Sequence, residues 1–216
     1  FRPIAAGSAW RNADMPSRRA FLLSGLSLPL APVQLARRSL PWPTRLAMAA
    51  RAQIGVTRIY DPAYVRLDYP MGDVPRSRGV CTDVIIRAYR EAFGMDLQEL
   101  VHEDMRSAFG AYPGIWGLTR PDRNIDHRRV PNLERYIERH GHVLSVPDSG
   151  SGWKAGDLYT MRYKGALPHI GIVSDRVSRA GRPLILHNMG WGASEDDIIG
   201  RFPEERRFRL PPPSGA

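Results

Sequence analysis

One cysteine and two histidines are the residues of this 216-residue chain whose types and spacing could together do chemistry. Cys81 is the only cysteine, and the apolar spacing of the residues after it predicts a helix that begins at the cysteine. A thiol at a helix N-terminus faces the positive end of the helix dipole, which favours the thiolate. We therefore expect a lowered pKa and a nucleophilic sulphur at this position.

Two histidines lie in apolar runs that are typical of strands. His169 begins the run His-Ile-Gly-Ile-Val-Ser, and His187 ends the run Arg-Pro-Leu-Ile-Leu-His. If the two strands are antiparallel neighbours, both imidazoles lie near one edge of a sheet. Together with Cys81 they would form a nucleophile, a base and a group that orients the base. The simpler alternative is that all three side chains only fill the core.

The elements that must position these residues follow from the apolar spacing. Helices are predicted over residues 44–54, 81–93, 97–109 and 131–140, and strands over residues 158–162, 169–174, 182–187 and 206–210. Residues 60–75 and 112–129 are predicted to be long ordered loops. Helices that precede a run of strands indicate an α+β domain with an antiparallel sheet.

Three motifs resemble those of the NlpC-type cell-wall cysteine peptidases, which belong to the papain-like superfamily. Gly-Val-Cys-Thr-Asp at 79–83 resembles their nucleophile motif at a helix start. Gly-Asp-Leu at 156–158, followed by His-Ile-Gly-Ile-Val at 169–173, is similar to their Gly-Asp strand and the strand that carries the base. The third, polar residue of that group lies on the next strand, where His187 stands in this chain.

The resemblance is closer to one branch, the domain of unknown function 1287 family, and it covers roughly residues 47–210. The chain departs from the cell-wall group in the long insert at residues 112–129. The segments that carry the resemblance are Tyr-Asp-Pro-Ala-Tyr at 60–64, Val-Cys-Thr-Asp-Val at 80–84, Val-His-Glu-Asp-Met at 101–105, Arg-Pro-Asp-Arg-Asn-Ile-Asp-His-Arg at 120–128 and His-Ile-Gly-Ile-Val at 169–173.

The resemblance implies a papain-like fold and the hydrolysis of peptide bonds in peptidoglycan stem peptides, with no metal or organic cofactor. Cys81 would be the nucleophile, His169 the general base and His187 the orienting residue, with Asn188 as the next candidate for that last role. The Cys81 backbone N–H would contribute to an oxyanion hole, with Tyr60 as a second donor.

Two residues of the long loop have open roles. Asp126 and His127 either hold the loop together, which we favour, or line a substrate pocket with Arg128 and Arg129. Arginine binds carboxylates in bidentate fashion, and stem peptides carry carboxylates. Asp83, in the first turn of the predicted helix, is expected to cap that helix rather than to act in catalysis.

The net charge of +9 is concentrated at the start of the chain. Residues 1–50 contain seven arginines and one acidic residue, Asp14, so that the net charge of the remaining residues is only +3. A net charge this small gives little electrostatic attraction to nucleic acid. A hydrophobic fraction of 43% is typical of a globular protein and excludes a wholly disordered chain and a polytopic membrane protein. The single cysteine excludes a disulfide framework and multi-cysteine metal sites.

The first residues also resemble an export signal. Arg18 and Arg19 precede Phe-Leu-Leu and an apolar run at residues 20–36, a pattern typical of twin-arginine signals, which export folded proteins. We therefore interpret residues 1–46 as an upstream extension plus a leader and residues 47–216 as a hydrolase domain. The predicted location is periplasmic or secreted, with membrane contact only through an uncleaved leader.

Two other functions remain as alternatives. A non-catalytic module could bind cell-wall glycopeptide through the same cleft, and Cys81 would then be dispensable. A zinc hydrolase could use Cys81, His169 and His187 as ligands, although the sequence lacks a His-Glu-x-x-His helix and any closely spaced ligand pair. The expected partner is peptidoglycan or a related peptide.

Overall fold

The computed structural model describes residues 39–148 and 150–214. It shows a mixed α+β architecture, as predicted, in which four helices precede all the strands of a six-stranded antiparallel sheet. No helix in these two ranges is both long and apolar enough to cross a bilayer. The helices are α1 (Trp42–Arg51), α2 (Cys81–Phe93), α3 (Leu97–Ala108) and α4 (Val130–His140).

The strands are β1 (Ile59–Tyr60), β2 (Arg78–Gly79), β3 (His142–Leu144), β4 (Leu158–Tyr163), β5 (Leu167–Val177), β6 (Pro183–Asn188), β7 (Ala193–Asp196) and β8 (Arg206–Arg209). Six of them form one antiparallel sheet in the order β3-β8-β4-β5-β6-β7, and β1 and β2 form a separate parallel pair. The prediction of four strands is confirmed for β4, β5, β6 and β8, whereas the sequence analysis missed β1, β2, β3 and β7.

Both faces of the sheet pack against buried apolar side chains. Successive side chains of a strand point to opposite faces, so neighbouring residues enter different clusters. Leu158 and Ile172 belong to the large cluster that includes the buried faces of the helices. Their neighbours Tyr159 and Val173 belong to a second cluster, which is closed by Trp153. The sheet thus forms the middle layer of the molecule, and side chains on either of its faces can be held in place by packing.

Helix α2 lies at the centre of the larger cluster and begins and ends where the sequence predicts. The Asp83 carboxylate accepts a hydrogen bond of 2.6 Å from the Val80 backbone N–H, which caps the first turn as expected. Gly94 ends the helix in the left-handed conformation, with φ of 70°. Burial holds the helix rigidly, since all residues from Cys81 to Tyr89 are buried.

The folded body begins before residue 47. Helix α1 starts at Trp42, within the range 1–46 that the sequence assigns to the leader, and Leu46 is fully buried in the main cluster. The paired arginines of the predicted export signal, Arg18 and Arg19, lie outside the described residues.

Candidate active site

The thiol of Cys81 sits where three separate segments of the chain meet. Parallel pairing of β1 with β2 sets Tyr60 opposite Gly79, two residues before the cysteine. The Tyr60 hydroxyl and the Ile170 backbone N–H both lie near enough to the Cys81 sulphur to lower the pKa of the thiol. The cysteine is only 4% exposed. The structure therefore brings the predicted nucleophile and Tyr60 together, against the strand that carries His169.

Asn188 holds the segment that leads into the nucleophile. Its amide Nδ2 donates a hydrogen bond of 3.0 Å to the Gly79 carbonyl, and its Oδ1 accepts one from the Gly190 N–H. A side chain at position 79 would meet Asp83 at 3.0 Å, so this close approach favours glycine. Asn188 thus positions the backbone before Cys81. Its hydrogen bonds do not fit the sequence-based role of orienting an imidazole, and the residue that contacts His169 is His187.

His169 and His187 are hydrogen-bonded to each other, as their positions on neighbouring strands predict. The distance from His169 Nε2 to His187 Nδ1 is 2.9 Å. The second ring nitrogen of His187, Nε2, lies 3.1 Å from Oδ2 of Asp196, which also accepts a 2.6 Å hydrogen bond from the Ser194 hydroxyl. These contacts form a continuous relay from a half-exposed carboxylate to a buried imidazole.

Gly171 allows the two histidines to approach. A Cβ atom at this position would lie 2.3 Å from the Ile185 side chain and 3.1 Å from the Cβ of His187. Any larger residue would push β5 and β6 apart just where the imidazoles meet. The glycine of the His-Ile-Gly motif therefore has a packing role in the relay.

Burial keeps the thiol and the imidazole neutral at rest. It raises the pKa of the Cys81 thiol to about 11 and lowers the pKa of His169 to about 3. The expectation of a lowered thiol pKa is wrong for this structure, because desolvation outweighs the helix dipole. The Ile170 and Thr82 N–H groups and the Tyr60 hydroxyl act in the opposite direction and lower the thiol pKa.

The thiol and its expected base are near each other but not directly bonded. Among the described residues, the Cys81 sulphur forms no direct hydrogen bond with the His169 ring, and the backbone N–H of Ile170, the next residue after His169, lowers the pKa of the thiol. Catalytic hydrogen bonds are often long in unliganded enzymes and shorten when substrate binds. Because Nε2 of His169 is engaged by His187, Nδ1 is the ring atom left to take the thiol proton.

A buried ion pair joins the long loop to the nucleophile helix. The Arg128 guanidinium donates two hydrogen bonds of 3.0 Å to Asp83 and binds the carbonyl groups of Asp61 and Ala63. Both partners are almost fully buried. Arg128 is therefore occupied in holding the backbone after Tyr60, which argues against the alternative that it lines a pocket for carboxylates.

Asp126 and His127 hold the loop rather than the relay. The Asp126 carboxylate binds the Asp122 N–H and the Arg129 guanidinium, and burial raises its pKa to about 6. His127 is 2% exposed, burial lowers its pKa to about 3, and its buried Nδ1 has no partner among the described residues. Neither side chain hydrogen-bonds to Cys81, His169 or His187. This geometry agrees with the favoured structural role.

A cavity of about 260 Å³ lies under the long loop. The Arg129 guanidinium stacks 4.1 Å from the centre of the Trp116 ring, and both side chains line this space together with Tyr112 and Asp126. None of the relay residues borders it. The loop thus builds an apolar pocket of its own, with one arginine and one carboxyl group.

Sequence reasoning missed Asp196. Strand β7 reads Ala-Ser-Glu-Asp, which lacks the apolar residues that identify a strand, and only the β6–β7 pairing brings this carboxylate to His187. The sequence did contain one indication of it, namely the acidic residues that follow His187 after the segment Gly-Trp-Gly.

The arrangement of the two histidines is unlike that of a metal site. The two imidazoles bind each other, and residues 39–148 and 150–214 contain no group of three side chains that could hold a metal ion.

Comparisons with known proteins give a matching family model and a similar protein. The model of a family described as "Domain of unknown function (DUF1287)" matches residues 47–210. The chain is also 49% identical over 180 residues to the Escherichia coli (strain K12) protein named "Uncharacterized protein YijF", a match that spans 83% of this chain and 87% of that protein. The chain therefore belongs to the DUF1287 family.

Proposed function

We propose that the protein is an exported thiol hydrolase that cleaves amide bonds in peptidoglycan stem peptides. One observation carries the proposal: a cysteine at a helix start packs against a strand whose histidine is hydrogen-bonded to a second histidine. A nucleophile, a base and an orienting group in that order are what covalent acyl transfer needs. The proposed architecture is papain-like, with the nucleophile helix packed on the antiparallel sheet.

The reaction begins with a proton transfer. When an amide substrate fills the cleft, Nδ1 of His169 takes the Cys81 proton and the sulphur attacks the carbonyl carbon. The developing oxyanion is held by the Cys81 N–H, which has no partner within the helix because it belongs to the first turn. The Tyr60 hydroxyl, already at the sulphur, is the second donor. His187 stabilises the imidazolium through its bond to His169.

The second half of the reaction returns the proton. The His169 imidazolium protonates the leaving amine, which leaves an acyl group on the Cys81 sulphur. Water, deprotonated by the same imidazole, then attacks the thioester, releases the carboxylic acid and restores the thiol. A neutral resting pair of Cys81 and His169 suits this cycle. The thiolate and the imidazolium then form only in the steps in which bound substrate shields them from water.

Incubation of the full chain with purified peptidoglycan tests the proposal. We expect new amine-bearing fragments from the unmodified protein, in the presence of a metal chelator, and at least a thousandfold fewer from Cys81→Ala, because the nucleophile carries most of the rate enhancement. Mass spectrometry of the fragments identifies the bond that is cleaved. Equal activity in Cys81→Ala would overturn the proposal.

Histidine variants provide matched controls. His169→Gln should lose activity to the same extent as Cys81→Ala, whereas His142→Gln, a substitution of an exposed histidine on β3, should retain it. Loss of activity on chelation would favour the zinc alternative. Binding of peptidoglycan without cleavage by any of the proteins would favour a non-catalytic module.

A further inference from the structure

Asp196 lies at the outer end of the relay. It is the last residue of β7, and its side chain is 51% exposed, whereas that of His187 is only 2% exposed. Antiparallel pairing sets His187 opposite Ser194, so that Asp196 reaches the imidazole diagonally from the neighbouring strand. The Ser194 hydroxyl donates to the same carboxylate oxygen and holds it in place.

The hydrogen bonds of the relay determine where its protons reside. An ionised carboxylate only accepts hydrogen bonds, so Nε2 of His187 must carry the proton in its contact with Asp196. In a neutral imidazole the other nitrogen is then an acceptor, which makes His187 Nδ1 the acceptor in the contact between the rings. His169 must therefore donate from Nε2, and its Nδ1 is left without a proton.

We propose that Asp196 is a positioning residue that sets the tautomers of both histidines and so keeps Nδ1 of His169 ready to accept the thiol proton. The opposite tautomers would place a proton on Nδ1 of His169, where no further proton can be accepted. The effect on catalysis rests on the proposed function, whereas the assignment of tautomers stands on the relay geometry alone.

Other groups around His187 do not supply this bias. The groups in hydrogen-bond contact with its ring are the neutral His169 and the carboxylate of Asp196. The neighbouring Glu195 is engaged with Arg51 and Ser174, and Asp197 is paired with Arg182. Contact with His187 also lowers the pKa of Asp196, which keeps the carboxylate ionised at neutral pH.

Nitrogen-15 NMR of the histidine rings tests the proposal directly. In the full chain at pH 8, where free imidazoles are neutral, we expect Nε2 of both His169 and His187 to be protonated and Nδ1 of both to be bare. In Asp196→Ala the ring-nitrogen shifts of both residues should move toward values averaged over two tautomers. Asp196→Asn, which keeps the side-chain shape but lacks the charge, should shift the same signals in the same direction.

A neighbouring carboxylate provides the control. Asp197→Ala removes the partner of Arg182 and should leave the shifts of both rings unchanged. A proton on Nδ1 of His169 in the unmodified protein, or unchanged ring shifts in both Asp196 variants, would overturn the proposal.

Kinetics separate this proposal from the proposed function. Asp196 does not contact the thiol, so Asp196→Ala should leave KM unchanged and lower kcat at least about tenfold, the smallest loss seen when a carboxylate behind a metal-bound histidine is removed. An unchanged kcat would contradict the positioning role. If the unmodified protein cleaves no peptidoglycan, the proposed hydrolase fails, and the NMR result still decides the assignment of tautomers.

Discussion

Three neighbours of the Cys81 sulphur favour its thiolate, although the environment as a whole disfavours it. Burial raises the thiol pKa to about 11, whereas the polar Ile170 and Thr82 N–H groups and the Tyr60 hydroxyl lower it. A hydrogen bond to a charged group contributes about 1.5–3 kcal/mol, more than one to a neutral group. These donors therefore stabilise the reactive form of the sulphur more than its resting form.

Replacement of Tyr60 by phenylalanine tests one of these donors. Since the Tyr60 hydroxyl lowers the thiol pKa, its loss should raise that pKa, and the rate at neutral pH should fall about tenfold for a lost charge-assisted hydrogen bond. Because the resting pair is neutral, the thiol sets the alkaline limb of the pH–rate profile, and that limb should move to higher pH. Tyr64→Phe is the control, because the Tyr64 hydroxyl bonds to Asp122 and Asn124 instead. Identical profiles for the two variants would contradict the role.

Residue types alone located the central part of the site. Cys81, His169 and His187 could be selected because a thiol at a helix start and two histidines on successive strands form a recognisable pattern. The roles of Asn188 and Arg128 could not be predicted, since their partners are the Gly79 carbonyl and the Asp83 carboxylate, contacts that only the folded chain creates.

A buried ion pair between Arg128 and Asp83 helps to hold the loop at residues 112–129 to helix α2. Asp83 also caps the helix that carries Cys81, and Arg128 also binds the backbone just after Tyr60. The pair therefore couples three elements whose relative positions determine the geometry at the sulphur. A buried charge that loses its partner is costly, because it remains desolvated without compensation.

Arg128→Ala should therefore destabilise the protein strongly. We expect a loss of about 3–5 kcal/mol in the free energy of unfolding, as is typical when one partner of a buried pair is removed. Urea unfolding measures this change. Arg106→Ala, which breaks the exposed pair with Glu103, is the matched control and should cost less than about 1 kcal/mol. Similar losses of unfolding free energy in the two variants would contradict the stabilising role of the buried pair between Arg128 and Asp83.

Some elements could be predicted to the residue and others could not. Helix α2 combines a continuous apolar face with a terminal glycine, so the sequence predicts both of its ends. Strand β3 has three residues and β7 has four, which is too short for a clear alternating pattern, and β7 is also largely polar. Both strands gain their structure from pairing at the edges of the sheet. Short edge strands of this kind carry little local signal. The missed strand β7 is also the one that bears Asp196.

The molecule as a whole should lose stability as the pH falls from 6.5 toward 4.5. Burial lowers the pKa of His127 and of His169 to about 3, whereas an unfolded histidine titrates near 6.5. Between these values the unfolded chain binds more protons, so that the free energy of unfolding decreases as the pH decreases, by about 1.4 kcal/mol per proton and pH unit. The raised pKa of Asp126 has the opposite sign and offsets part of this loss.

His127→Gln tests the linkage. The variant lacks one of the two buried histidines, so its free energy of unfolding should depend less steeply on pH between 6.5 and 4.5. Urea unfolding at several pH values provides the comparison. His142→Gln removes an exposed histidine and should retain the original slope. Parallel curves for all three proteins would contradict the assignment to His127.

The position of β8 in the sheet has a consequence for biosynthesis. This strand follows β4 to β7 in the chain, yet it lies between β3 and β4 and pairs with both. As the chain emerges from the ribosome, β3 has no neighbour in the sheet until residues 206–209 appear, and Phe208 then enters the core fully buried. The strands therefore cannot all pair in the order in which they are synthesised, and the sheet can be completed only after β8 has been made.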